Sequence, residues 1–334
     1  VRSNLNLRCA DRVLLKMAEF KAETSEELFQ QTKAVDWEQW IPADGKFTVN
    51  CTTVKSKLRS EPACQKTVKK AIVEKLGEVY MMDHFPETGA EYTVKVTILK
   101  DRATLTIDTS GAGLHKRGYR VKNVAAPMKE TLAAALVQLS FWKKGRLLLD
   151  PFCGSGTIAI EAAMYERNIA PGLGREFASQ GWNAISEEIW KEERKKAYEA
   201  IDYDADVRIL ASDIDKKAVA AAQENAEEAG VDDCIEFSVR DFNKLSVPEK
   251  YSVIISNPPY GERIGDKEQM KASYAHMKKL LEADPTLSAY IITADKDIEE
   301  AIKPREPDRR RKLYNGRLET CFYQYYGERP PRTE

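Results

Sequence analysis

Histidine is scarce in this chain and cysteine is scattered. Only His84, His115 and His276 occur among 334 residues, and the six cysteines (Cys9, Cys51, Cys64, Cys153, Cys234 and Cys321) form no C-x-x-C pair. The usual zinc spacings and a disulfide framework are therefore disfavoured, and no metal is expected. No window approaches the roughly eighteen apolar residues of a membrane span. No signal-peptide pattern opens the chain either, so the reading is cytoplasmic with no membrane partner. One glycine-rich loop follows an apolar run, but it lacks the Lys-Ser/Thr of a nucleoside triphosphate loop and the third glycine of a dinucleotide fingerprint.

What is present looks like an ordinary globular protein, with 43% hydrophobic and 31% charged residues and length enough for two domains. Net charge is −1, yet it divides unevenly. Residues 1–122 carry 21 Lys and Arg against 16 Asp and Glu, and the remainder carries 31 against 37. A basic front half points to a polyanionic partner, although a solvated face has the same composition.

The front half reads as mixed α+β. Helices are expected over Asp11–Ala22, over Ser25–Lys33 with a cap at Thr24 or Ser25, and over Pro62–Leu76 with Val68, Ala71, Ile72 and Leu76 inward. Lys46–Cys51, Tyr92–Leu99 and Ala103–Asp108 alternate as strands, the last two forming a hairpin. The segment Ser110–Arg120 holds three glycines with His115, Lys116, Arg117 and Arg120. It reads equally as a linker and as a basic strip tracking a phosphate backbone. From Pro127 onward helices alternate with apolar runs that read as strands, which implies a doubly wound parallel sheet. A charged, tryptophan-containing insertion spans 171–206, and a terminal hairpin is expected over Leu313–Tyr326.

Two motifs about a hundred residues apart carry the chemistry. Leu147-Leu148-Leu149 runs into Asp150-Pro151-Phe152-Cys153-Gly154-Ser155-Gly156, and Ile254-Ile255-Ser256 into Asn257-Pro258-Pro259-Tyr260. Both loops belong at the carboxyl edge of a parallel sheet, where such folds bind ligands. In the first, glycines let backbone approach a ligand, and Asp150 can accept from a cationic amino group. Asp213, followed by Ile214, closes the next strand and can take both ribose hydroxyls. Asp241, followed by Phe242, closes the one after and can accept from an adenine amine. Capping is the competing role for both, and it is the preferred one for Asp215.

The Asn-Pro-Pro-Tyr loop is the sharper signal. An exocyclic amine on a base is a weak nucleophile because its lone pair is delocalised into the ring. Asn257 Oδ1 and the Pro258 carbonyl can both accept its hydrogens, drawing the nitrogen toward sp³. The prolines stiffen the loop, and Tyr260 offers a face for base stacking. Asn257 also borders the cofactor pocket. The pair of motifs therefore predicts methyl transfer to nitrogen, with catalysis by positioning rather than by a strong base.

These residues resemble the N-type S-adenosylmethionine-dependent methyltransferases. The chain as a whole resembles the THUMP-domain RNA methyltransferases, in particular the RlmL-like bacterial guanine-N2 methyltransferases of large-subunit ribosomal RNA. The resemblance is carried by Asp108–Arg120, Ala126–Leu136, Asp150–Ala163, Asn168–Gly172 and Asn257–Asp266. It implies a class I, Rossmann-like methyltransferase sheet preceded by a smaller α+β THUMP domain. The expected division is a THUMP-containing RNA-binding region over 1–110, a basic linker over 111–126 and the methyltransferase domain over 127–334. The resemblance further implies a truncated start with an associated ferredoxin-like subdomain, and Pro127, Lys129 and Thr131 near the methionine end of the cofactor.

The expected activity is therefore S-adenosylmethionine-dependent methylation of a guanine N2 amine in large-subunit ribosomal RNA. Catalytic roles fall to Asn257, Pro258 and Tyr260. Cofactor contacts fall to Asp150, Phe152, Cys153, Gly154, Ser155, Gly156, Asp213, Ile214, Asp241, Phe242 and Asn257. The target base must leave its stack, at a cost of about a few kcal/mol. Arg309–Lys312 with Arg317 form either a second phosphate contact or a solvated charge run. The rivals are a tRNA guanine-N2, a DNA adenine or a protein glutamine methyltransferase, and a non-catalytic RNA-binding assembly factor.

Overall fold

Residues 1–121, 128–260 and 266–331 are described by a computed structural model, in which the chain forms two compact units. The first contains Val1–Leu114 together with Arg175–Lys196. Helix α1 (Arg2–Asn6) leads to β1 (Leu14–Lys21), α2 (Ser25–Lys33), β2 (Lys46–Val54), α3 (Glu61–Tyr80), β3 (Glu91–Leu99) and β4 (Arg102–Asp108). The strands make one sheet in the order β1-β4-β3-β2, with β2 parallel to β3 and the other pairs antiparallel.

Local chemistry accounts for most of these elements. Thr24 caps α2 in a reciprocal capping box with Glu27. Ser60 caps α3, which buries Val68, Ala71, Ile72 and Leu76 as their spacing requires. The expected helix over Asp11–Ala22 is instead strand β1. A bulge between Lys16 and Ala18 breaks its period-two alternation, so the apolar positions mimic helical spacing.

Within the insertion expected over 171–206, Arg175–Lys196 joins this first unit rather than the back half. Trp182 stacks on Tyr92 at 4.9 Å and donates from Nε1 to the Glu91 carbonyl, 3.1 Å away. Arg175 donates to the carbonyl oxygens of Ala112 and Gly113, each at 2.6 Å, and its guanidinium lies 4.8 Å from the Phe177 ring. Such contacts join residues far apart in sequence, so no local pattern announces them.

The second unit is a seven-stranded sheet in the order β10-β11-β9-β8-β5-β6-β7. Its parallel strands are β5 (Leu148–Asp150), β6 (Ile209–Asp213), β7 (Ile235–Val239), β8 (Val253–Ser256) and β9 (Ser288–Thr293). The antiparallel hairpin of β10 (Arg309–Asn315) and β11 (Leu318–Tyr325) completes it. Helices α4 (Glu130–Leu139), α5 (Thr157–Glu166), α7 (Lys216–Ala229), α8 (Asp266–Ala283) and α9 (Asp297–Ile302) connect the strands, while α6 (Glu187–Glu199) lies within the insertion and belongs to the first unit as far as Lys196. Every residue of β5, β8 and β9 is buried, as parallel strands covered on both faces demand.

In the strip 115–121 Arg117 and Arg120 turn inward while Lys116 stays exposed, so these two arginines are not the phosphate-tracking cations of the alternative reading. Arg117 is 3% exposed and pairs with the fully buried Glu161 of α5 at 3.3 Å. The Tyr119 hydroxyl also donates to Glu161, and burial pushes that phenol well above its usual range. Arg120 reaches Glu130 at 2.8 Å and donates to the Met128 carbonyl. At Gly118, φ is +109° and an added Cβ would sit 2.4 Å from the Gly174 carbonyl oxygen, so only glycine fits. The basic run at Arg309–Lys312 is an edge strand whose Arg310 pairs with Glu299 and Lys312 with Glu319.

Candidate active site

Strand β5 is hydrogen-bonded to β6 on one side and to β8 on the other, with Leu148 opposite Val253 and Leu149 opposite Ile254. All three run parallel, so the Asp150 loop and the Asn257 loop leave the same edge of the sheet from neighbouring strands. The motifs distant in sequence become adjacent through one strand pairing.

The first loop is held by backbone hydrogen bonds. The Cys153 N–H donates to the Ser212 carbonyl at 2.9 Å, and the Gly156 N–H returns to the Cys153 carbonyl at 2.8 Å. Gly154 and Gly156 have φ of +52° and +82°. A Cβ at Gly156 would press on Ala222 at 3.0 Å, whereas at Gly154 it would meet open space. Gly156 therefore serves packing, and Gly154 leaves room for a ligand. The Cys153 and Ser155 side chains are buried; burial, then Asp150 and Asp213, push the Cys153 thiol well above its usual range.

Asp150 is 1% exposed, and neither of its carboxylate oxygens has a hydrogen-bond partner of good geometry. Burial drives its carboxyl well above the ordinary range, the Asp213 charge adds to the effect, and the Phe152 N–H counters it only in part. An unpartnered carboxylate buried beside a glycine loop is the feature a cationic ligand would satisfy. Asp213 accepts the Gly154 N–H at Oδ2 and the Asp215 N–H at Oδ1, both at 3.0 Å. Each oxygen retains a lone pair for a hydroxyl. Ile214 is 58% exposed beside it, an apolar surface free to cover a ring. These residues fit a nucleoside bearing a cationic amino acid.

The other expected contacts are placed more variously. Asp241 caps the short 3-10 turn that follows it, its Oδ1 accepting the Asn243 N–H at 2.9 Å. Phe242 is buried between Phe152, 4.9 Å away, and His276, 5.2 Å away. Asp215 caps α7 through the Lys217 N–H. Lys129 is exposed, Thr131 is buried, and Pro127 lies outside the described residues.

At the end of β8, Asn257 is half-buried, Pro258 buried and Pro259 exposed. The Tyr260 hydroxyl donates to Asn257 Oδ1 at 2.7 Å, and Asn315 Nδ2 donates to that hydroxyl at 3.4 Å. Asn315 was missed by sequence reasoning, which placed that stretch only within the expected terminal hairpin over Leu313–Tyr326. Asn225 was missed as well. It is 1% exposed on α7, donates from Nδ2 to the Ser155 carbonyl at 3.1 Å and accepts the Val121 N–H at Oδ1. Its signal was present as a lone amide at helical spacing among Ala218, Ala221, Ala222 and Ala226.

Among the described residues no group of three or more His, Cys, Asp or Glu could hold a metal, and no helix is long and apolar enough to cross a membrane. Residues 117–324 match the family described as "RMKL-like, methyltransferase domain", and residues 22–108 match the THUMP domain. A Bacillus subtilis protein named "Putative RNA methyltransferase YpsC" is 49% identical over 99% of this chain and 86% of its own length. A Syntrophotalea carbinolica protein named "Ribosomal RNA large subunit methyltransferase K/L" is 36% identical over 93% of this chain. The chain spans only 45% of that relative's length. A crystal structure described as "SMU.472, a putative methyltransferase complexed with SAH" superposes with a TM-score of 0.91 at 41% identity, covering 99% of this chain and 88% of that one. The chain belongs to the RMKL-like methyltransferase family and carries that family's catalytic domain behind a THUMP domain.

Proposed function

We propose that this protein transfers a methyl group from S-adenosylmethionine to the N2 amine of a guanine in large-subunit ribosomal RNA. The observation that carries the reading is the pairing of β5 with β8, which sets an unpartnered buried carboxylate, Asp150, next to the Asn257–Tyr260 loop. The THUMP domain, the basic front half and the relatives' names, "Putative RNA methyltransferase" and "Ribosomal RNA large subunit methyltransferase", support RNA as the substrate class.

Each residue has a physical task. Asp150 would hold the amino group of the cofactor, Asp213 its ribose hydroxyls and Ile214 one face of its base, with Asp241 at the exocyclic amine of that base. When bound, the cofactor supplies a methyl group already activated on a sulfonium. Asn257 Oδ1 and the Pro258 carbonyl accept the two hydrogens of the target amine, which localises its lone pair and aims it. Tyr260 stacks on the flipped base, and the stiff loop keeps the acceptors in place without reorganisation.

Mass mapping of ribosomal RNA from a strain lacking this gene tests the reading. The expected result is one guanine that has lost its N2 methyl. An unchanged guanine methylation pattern, with a loss in transfer RNA or at an adenine instead, contradicts it.

A further inference from the structure

Three side chains, two from the Asn257–Tyr260 loop and one from the end of β10, form one hydrogen-bond chain beside the amine site. Asn315 ends β10 just before Gly316, whose φ of +65° makes the hairpin turn. Its Nδ2 donates to the Tyr260 hydroxyl at 3.4 Å, and that hydroxyl donates to Asn257 Oδ1 at 2.7 Å. All three residues are partly buried.

The chain has a direction. An amide NH2 can only donate, and a phenol has a single proton to give onward. Whatever receives that proton must present an acceptor. The two ends of the Asn257 amide are nearly identical in shape, so packing alone would not choose between them. With its NH2 toward the target amine, donor would face donor and the base nitrogen would stay planar.

We infer that Asn315 is a positioning residue which, through the Tyr260 hydroxyl, holds the Asn257 amide with its oxygen toward the target amine. One lone pair of Oδ1 takes the Tyr260 proton, and the other remains for substrate. The contribution to turnover rests on the methyl-transfer reading above; the hydrogen-bond relay does not.

The test compares Asn315→Ala with Asn315→Asp. The carboxylate is nearly the same shape as the amide but can only accept. It would draw the Tyr260 proton to itself and leave Asn257 to offer its NH2 to the phenol oxygen. With bulk ribosomal RNA from a strain lacking the gene as substrate, kcat should fall by about fivefold in Asn315→Ala and by about a hundredfold in Asn315→Asp, with KM for RNA nearly constant. In a Tyr260→Phe background both substitutions should be silent. A loss in Asn315→Ala as large as in Asn315→Asp, or undiminished losses in that background, overturns the relay.

A second measurement does not depend on turnover. In protein labelled with 15N at asparagine, the Asn257 side-chain signal, assigned by its loss in Asn257→Ala, should move in Asn315→Asp. It should be indifferent to that change once Tyr260 is Phe. A signal that stays put in Asn315→Asp overturns the relay. A signal that moves while the wild-type protein transfers no methyl group upholds the relay and rejects the methyl-transfer reading instead.

Discussion

Asn225 donates from its Nδ2 to the carbonyl oxygen of Ser155 across 3.1 Å, tying helix α7 to the centre of the glycine loop. Its Oδ1 accepts the Val121 N–H at 3.0 Å, so the same amide also holds the backbone at residue 121. The buried Ser155 carbonyl depends on that single side chain.

Asn225→Ala should therefore destabilise the protein by about 1–3 kcal/mol, the cost of leaving a buried carbonyl unpaired. Affinity for S-adenosylmethionine should weaken because the loop loses its outer support. Asn225→Asp keeps the acceptor for Val121 but sets a buried carboxylate oxygen against the Ser155 carbonyl, so it should cost at least as much as Asn225→Ala. Thermal unfolding and calorimetric titration of the three proteins check the order.

Asp150 makes a pH prediction whose sign follows from its burial. Its carboxyl is raised in the folded protein, so the protonated form suits the site. The stability contributed by this group is full below the ordinary carboxyl range near pH 4 and is lost as pH climbs through the raised value. Asp150→Asn should thus be more thermostable than wild type at pH 7 without ligand, with the gap closing toward about pH 4. Its affinity for S-adenosylmethionine should drop by at least about tenfold, because the counter-charge for the cofactor's amino group is gone. In the wild type, binding should release protons in the pH range where Asp150 is still protonated. Unfolding scans across pH and titrations in two buffers of different ionisation enthalpy provide the readings.

Much of this site could be read from the sequence, and the failures have identifiable causes. The loops at Asp150 and Asn257 follow apolar runs and carry their own glycines and prolines, so strand, loop and chemistry are all written locally. The Thr24 and Ser60 caps are equally local. Strand β1 was hidden because its bulge puts Met17 out of step with its neighbours. Arg117 and Arg120 passed for surface cations because their partners, Glu161 and Glu130, sit on helices whose packing no short window reveals. Trp182, Asn225 and Asn315 earn their roles from residues far along the chain.

Gly118→Ala should be poorly tolerated. The methyl group would meet the Gly174 carbonyl oxygen at 2.4 Å in a backbone conformation that side chains rarely adopt. A loss of about 2–4 kcal/mol is expected, visible as a lower unfolding midpoint or as insoluble expression. Gly145→Ala has a similar φ of +80° but open space around the new methyl, so it should cost less.

The basic face of the first unit has its own signature. Lys66, Lys69 and Lys70 are exposed on α3, and changing all three to Glu should weaken binding of bulk ribosomal RNA at low salt by at least about tenfold. The difference should shrink as salt rises, since the lost contacts are to phosphates. Filter binding across a salt series measures both the drop and the slope.

Asn257 bears the central claim most directly. The decisive measurement is mass mapping of large-subunit ribosomal RNA from a strain lacking the gene, after incubation with S-adenosylmethionine and either the wild-type protein or Asn257→Ala. The account predicts one new methyl group on a guanine N2 with wild type and none with the variant, while the two bind S-adenosylmethionine with affinities within about threefold. Equal incorporation by both proteins, or methyl groups on adenine rather than guanine, would contradict it.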